Sequence, residues 1–254
     1  MSDDFFPIDP HALRPFVYED ERTVSMHFDM CSTQSCMRRA APYALELDYT
    51  RAMMGFLLVE PNPATMLMIG LGGGSLPKYC HRHLSATDIT VVEINPHVIA
   101  MRDAFFVPRD DERFRVVCDD GARFVAASPA RYDVLMVDGF NYDGQPAGLC
   151  SPEFYRACRA ALTPTGVAVI NLHLDEPPCN ALVERIARAF DGEVCSLLGE
   201  RGSNMIVLAG PASALRQDTV GFARRWTALA DVHKRTLARC ATRLARGLRA
   251  TESA

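Results

Sequence analysis

Four apolar runs in this chain each end in residues able to do chemistry, and their order along the sequence suggests one shared crevice. The first run, TMLMIGLG, leads into Gly70-Leu71-Gly72-Gly73-Gly74-Ser75. Glycines there let backbone approach a ligand closely, and the amides of a following helix start favour negative or polar groups. Ser75 stands where the G-x-G-x-x-G dinucleotide fingerprint has its third glycine, so a tight turn without a ligand remains the alternative. The second run ends at Glu93, 23 residues beyond Gly70, where a carboxylate can accept hydrogen bonds from both hydroxyls of a ribose. NAD sites and S-adenosyl sites share that device, and a helix cap or surface acid is the plainer reading. The third run ends in Asp119-Asp120-Gly121. A carboxylate here can take the amino group of an adenine, or Asp120 can simply cap the next helix. The fourth ends at Asp138, whose carboxylate at the mouth of a crevice suits a general base or the cap of a turn.

Positioning such residues together requires strands that stop at one edge of a sheet. Between Thr65 and Pro211 strand-like and helix-like segments alternate, the pattern of a parallel sheet covered on both faces. Strands are predicted over 65–72, 88–95, 114–120, 132–140, 166–174, 193–198 and 204–209, with helices over 152–162 and 181–190. Residues 42–60 also read as helix, since Tyr43, Leu45, Leu47, Met53, Met54 and Leu57 fall roughly on one face. Short β-like runs precede them, from Arg14 to Tyr18, Val24 to Phe28 and Gln34 to Met37. Residues 212–250 read as helix with nine Lys/Arg against two acids, which a solvated helical face explains. The division expected is a short N-terminal β appendage over 1–41, a Rossmann-like nucleoside-binding domain over 42–211 and a helical extension over 212–254.

Composition excludes other classes. The chain has 254 residues, 48% hydrophobic and 23% charged, with a net charge of −4, so no basic field points to nucleic acid. No apolar run approaches the roughly 18 residues of a membrane span. Nine cysteines occur without a C-x-x-C, so neither a zinc site nor a thioredoxin motif is indicated, and the odd count fits reduced thiols better than a disulfide framework. The acidic opening MSDDFFPIDP lacks the apolar core of a signal peptide, and the expected location is the cytoplasm.

The stretches MIGLGGGSLPKY, VVEINPHVI, VVCDDGARF, YDVLMVDGF and SPEFYRACRAALTPTGVAVIN, in this order and spacing, resemble the spermidine synthase family of aminopropyltransferases over roughly residues 34–175. The resemblance implies an N-terminal β domain joined to a methyltransferase-like Rossmann domain. It implies transfer of an aminopropyl group from decarboxylated S-adenosylmethionine to an amine. Glu93 would hold the ribose, and Asp120 with its neighbour Asp119 the adenine. Asp138 matches the acid that orients and deprotonates the attacking amine. Gln34 and Tyr49 sit where the family has substrate-side Gln and Tyr residues. Two positions depart from the family pattern. Gly73 stands where the family's glycine loop carries an Asp for the donor's ammonium. Asn141, with Asp143 two residues on, replaces a second Asp on the amine side.

The fold expected is therefore a doubly wound α/β sheet of seven strands with a small β appendage. The function expected is displacement at the carbon beside a sulfonium, with Asp138 as proton acceptor and Tyr49 positioning the amine. The donor is a co-substrate, decarboxylated or intact S-adenosylmethionine, with no tightly bound cofactor and no metal. Gly70, Gly72 and Gly73 would cradle it. Two rival readings are a methyltransferase using the intact donor and a non-catalytic nucleoside-binding protein. Residues 14–37 are too short for a core of their own, so a homodimer that pairs them across a two-fold axis is expected.

Overall fold

A computed structural model describes residues 13–29, 33–140, 144–174, 179–199, 203–216 and 218–249. The first described elements are three antiparallel strands, β1 (Phe16–Glu19), β2 (Thr23–His27) and β3 (Thr33–Arg38), in that spatial order. Asp20 makes the first turn, its carboxylate accepting the amides of Arg22 at 2.7 Å and Thr23 at 2.6 Å. Val24, Met26 and Met37 from this small sheet enter the same core as the large sheet behind it.

The segment over 42–60 is less helical than its periodicity predicts. Only α1 (Asp48–Met53) is α-helix, followed by a 3₁₀ stretch over Met54–Leu58. The Arg51 guanidinium donates to the carbonyls of Leu45 and Glu46, both at 2.8 Å, and so holds the preceding residues in an irregular turn. Met53, Met54, Phe56, Leu57 and Leu58 are all buried, so this stretch is apolar all round rather than on one face.

The large sheet then alternates with helices: β4 (Thr65–Ile69), α2 (Ser75–His83), β5 (Asp88–Glu93), α3 (Pro96–Ala100), β6 (Phe114–Cys118), α4 (Gly121–Ala127), β7 (Tyr132–Val137), α5 (Pro152–Ala161), β8 (Leu162–His173), α6 (Cys179–Ala189), β9 (Val194–Leu198) and β10 (Asn204–Ala209). Four further helices follow, α7 (Ala212–Leu215), α8 (Thr219–Ala228), α9 (Asp231–Leu237) and α10 (Ala241–Arg249). Strand order is β6-β5-β4-β7-β8-β10-β9, the doubly wound, methyltransferase-type arrangement. The sheet is not parallel throughout, because β10 pairs antiparallel with both β8 and β9. β9 and β10 are consecutive strands five residues apart, too close in sequence for the crossover connection that a parallel pair requires.

Side chains alternate across the sheet with period two. Met66, Met68, Val134, Met136, Val167 and Val169 face one core; Leu67, Ile69, Leu135, Val137, Ala168 and Ile170 face the other. Strand order reverses at β4, which has β5 on one side and β7 on the other. At such a switch point the loops leaving neighbouring strands part and open a crevice at their carboxyl ends.

The strands stop short of their predicted ends. β4 ends at Ile69, β5 at Glu93, β6 at Cys118 and β7 at Val137. The residues singled out for chemistry therefore lie at the strand ends or in the loops beyond them, around the switch point.

Candidate active site

The glycine loop is shaped by a backbone crossing. Gly70 has φ +96° and donates its amide to Val92 O at 2.9 Å. A Cβ on residue 70 would lie 2.2 Å from the carbonyl oxygen of Asp138. Only glycine lets the exit of β4 pass so close to the exit of β7. Gly74, with φ +64°, then caps α2.

Glu93 is 9% exposed at the end of β5. One carboxylate oxygen accepts the Leu71 amide at 2.9 Å and the other the Asn95 amide at 2.9 Å. Burial raises its pKa, and the amides of Leu71, Asn95, Gly72 and Ile94 pull it back down. The carboxylate thus pins the glycine loop and also lines the cleft. Asp120 begins α4, its Oδ1 accepting the Arg123 amide at 2.8 Å. It is a helix cap and also lines the cleft. Asp119 does not line it. Its carboxylate is engaged by the Arg123 guanidinium, with Nε at 3.0 Å, and by the Asp120 amide at 2.7 Å.

Asp138 follows β7, is half-buried and faces the cleft. The Tyr49 hydroxyl donates to Oδ2 at 3.3 Å and the Asn171 amide to Oδ1 at 2.8 Å. Burial lifts the Asp138 carboxyl above its ordinary pKa, while the two donors and nearby His173 oppose the rise. The same burial, together with Asp138, pushes the Tyr49 phenol well up, which keeps it a neutral donor.

Glu93, Asp120, Asp138, Tyr49, Gln34 and the three site glycines all line one cavity of about 270 Å³. The small N-terminal sheet contributes to its wall through Met26, Gln34 and Ser35. Asn141 and Asp143 lie outside the described residues. One departure from the family pattern has a steric basis. A Cβ on residue 73 would sit 2.5 Å from Ser35 Oγ and 2.8 Å from the Phe105 ring, so an Asp there fits only if both move. Gly73 and Ser35 form a matched pair, which a glycine-loop motif alone does not reveal.

Three polar residues escaped the sequence reading. Asn171 and Asn204 are 1% and 7% exposed on β8 and β10, and Asn204 Nδ2 donates to Asn171 Oδ1 at 3.0 Å. Asn171 interrupts the apolar run VAVINL, a signal present in the sequence. Lys78 on α2 is 1% exposed; its Nζ donates to Phe105 O at 2.6 Å, and burial lowers its pKa to about 8. Nothing in the local sequence marks it as buried.

Comparison with known proteins places this geometry among relatives. The spermine/spermidine synthase domain model matches residues 46–176. A polyamine aminopropyltransferase of Neisseria meningitidis serogroup A / serotype 4A is 33% identical over 219 residues, covering 85% of this chain and 83% of that protein. Another polyamine aminopropyltransferase, from Chromobacterium violaceum, is 36% identical over 194 residues, covering 76% of this chain and 74% of its own. A crystal structure titled as a probable spermidine synthase from Corynebacterium glutamicum superposes with a TM-score of 0.70 at 17% identity, over 92% of this chain and 91% of that one.

Proposed function

The chain belongs to the spermine/spermidine synthase family, and from that premise we propose that it is a polyamine aminopropyltransferase using decarboxylated S-adenosylmethionine as donor. The observation that carries the reading is that Glu93 and Asp138 line one cavity on either side of the Gly70 crossing. Glu93 takes the ribose hydroxyls and Asp120 the adenine amino group, with the glycine loop against the nucleoside. Asp119, engaged by Arg123, stands outside the cavity wall. Gln34 and Tyr49 face the amine, with Asn141 and Asp143 assigned to the same side.

In the reaction the amine nitrogen attacks the aminopropyl carbon bound to sulfur. The new C–N bond forms as the C–S bond breaks, and the bonding pair returns to sulfur, which leaves as neutral methylthioadenosine. The proton released from the amine goes to the Asp138 carboxylate. The sulfonium is already a good leaving group, so the protein supplies orientation and a proton acceptor. The acceptor is a small amine.

The reading includes a cytoplasmic homodimer. Phe16 and Tyr18 on β1 are 39% and 59% exposed, and β1 pairs only with β2 among the described strands. These features support contact of the small sheets with a second copy.

Calorimetry tests the nucleoside assignment. Methylthioadenosine should bind and NAD should not. Glu93→Ala should weaken methylthioadenosine by about 1.5–3 kcal/mol, the range for hydrogen bonds to a charged group. A thermal melt checks that the loop amides of Leu71 and Asn95, which lose their acceptor, have not unfolded the protein. NAD binding tighter than methylthioadenosine would overturn the assignment.

A further inference from the structure

Behind Asp138 runs a chain of hydrogen bonds that reaches no solvent-lined wall of the cleft. Ser203 Oγ donates to Asn204 Oδ1 at 3.1 Å, Asn204 Nδ2 to Asn171 Oδ1 at 3.0 Å, and Asn171 Nδ2 to Asp138 Oδ1 at 2.8 Å. Asn171 lies between Ile170 and Leu172, both fully buried, and β10 pairs antiparallel with β8 so that Asn204 is opposite His173. A buried amide in such surroundings costs free energy unless it is bonded. Neither Asn171 nor Asn204 lines the cavity.

All three donors point the same way. With Asn204 donating to its oxygen, Asn171 has only its NH₂ group to turn to Asp138. An NH₂ group requires an acceptor, and the ionised carboxylate is one at both oxygens. The chain also fixes which oxygen is used, because Oδ1 is held by Asn171 and Oδ2, among the described residues, carries the longer Tyr49 bond at 3.3 Å. Oδ2 is therefore the oxygen available to an amine.

We propose that Asn171, oriented by Asn204, is a positioning residue for aminopropyl transfer: it keeps Asp138 ionised and reserves Oδ2 for the amine proton. This rests on the reading of Asp138 as the proton acceptor. Among the described residues, the titratable groups facing Asp138 are Tyr49 from α1 and His173 from β8; from the β4 exit it meets the backbone of Gly70. Tyr49 is neutral over the working range and remains in every variant below, as does His173, so a shift reports on the amide.

Asn171→Leu removes the donor at nearly constant shape, and Asn204→Leu keeps the donor but frees its orientation. Two quantities are read in each. One is the Asp138 carboxyl midpoint by ¹³C NMR titration of Asp-labelled protein, assigned by its absence in Asp138→Asn. The other is the acid limb of the kcat–pH profile. Asn171→Leu should raise the midpoint by roughly 1–2 pH units, the equivalent of one charge-assisted bond. The acid limb should move up with it, while methylthioadenosine affinity stays put. Asn204→Leu should move both in the same direction by less. An unmoved midpoint in folded Asn171→Leu overturns the proposal. So does a turnover loss equal at every pH. If Asn171→Leu does not fold, Asn204→Leu decides on the same criteria. The titration needs no turnover, so a wild-type protein inactive with decarboxylated donor would refute the functional reading while leaving this assignment to be judged on its own.

Discussion

Asp138→Asn is expected to cut aminopropyl transfer by roughly 10²–10⁴-fold, the usual range for a general base, with little change in nucleoside affinity. The substitution preserves shape and leaves Glu93, Asp120 and the glycine loop untouched. It removes the only function that an amide cannot replace, which is to accept a proton as the amine nitrogen forms its bond. It also removes the negative charge that Tyr49 and Asn171 both serve. A second consequence separates this loss from unfolding. Burial raises the folded-state pKa of Asp138. The protonated form is then favoured in the fold, and stability is lost as pH rises from the ordinary carboxylate range through the raised value. An amide carries no such cost, so the variant should melt no lower than wild type at neutral pH in the absence of ligand. Methylthioadenosine release measured by chromatography, alongside calorimetry and a melt, checks all three. Undiminished release would leave Asp138 as a turn residue.

Gly70→Ala should be the most damaging single-methyl change in the loop. The positive φ alone costs an L-residue about 1–2 kcal/mol. Here the new Cβ would also meet the Asp138 carbonyl oxygen at 2.2 Å and its carbon at 2.8 Å. Both are backbone atoms and cannot rotate away, so overpacking adds about 1–3 kcal/mol. A total of about 2–5 kcal/mol in denaturant unfolding follows from these two terms. Nucleoside binding should fall as well, because relief of the clash pushes the β4 and β7 exits apart. Gly192→Ala is the control. Gly192 has φ +84° in the turn between α6 and β9, and nothing lies within 4 Å of its added Cβ. It should show only the conformational cost. Equal losses at the two positions would mean that the backbone crossing does not constrain the site.

Much of the fold was legible because the large sheet is buried on both faces. Its strands read as short apolar runs punctuated by glycine and acid, and all seven are present. Their ends were read too long for the same reason: apolar patterning continues past the last paired residue, as at Gly70-Leu71 and Gly139-Phe140, where chemistry takes over from pairing. Residues 42–60 misled in another way. A segment buried on every side carries no amphipathic signal, so periodicity could not say that only its middle is α-helical. The antiparallel β10 was likewise invisible, since a strand's direction in a sheet leaves no mark on its apolar pattern.

The geometry of the candidate site was legible where a polar residue closes a strand. Glu93, Asp120 and Asp138 could be placed from strand ends alone, and the cavity brings them together. Pairwise features were not legible. Ser35 fills the space that a side chain at Gly73 would need, and 38 residues separate them in the chain. The Asn204–Asn171 relay joins two strands that become neighbours only once the sheet forms. Asp119 and Asp120 differ in surroundings because one arginine, Arg123, engages the first carboxylate with its side chain and the second with its amide.

The most direct test is a product assay on purified protein with a small diamine and either decarboxylated or intact S-adenosylmethionine, followed by mass spectrometry. The account predicts methylthioadenosine and the N-aminopropyl amine in equal amounts from the decarboxylated donor, with both cut by roughly 10²–10⁴-fold in Asp138→Asn. Methylated amine with S-adenosylhomocysteine from the intact donor, and no methylthioadenosine from the decarboxylated one, would contradict it.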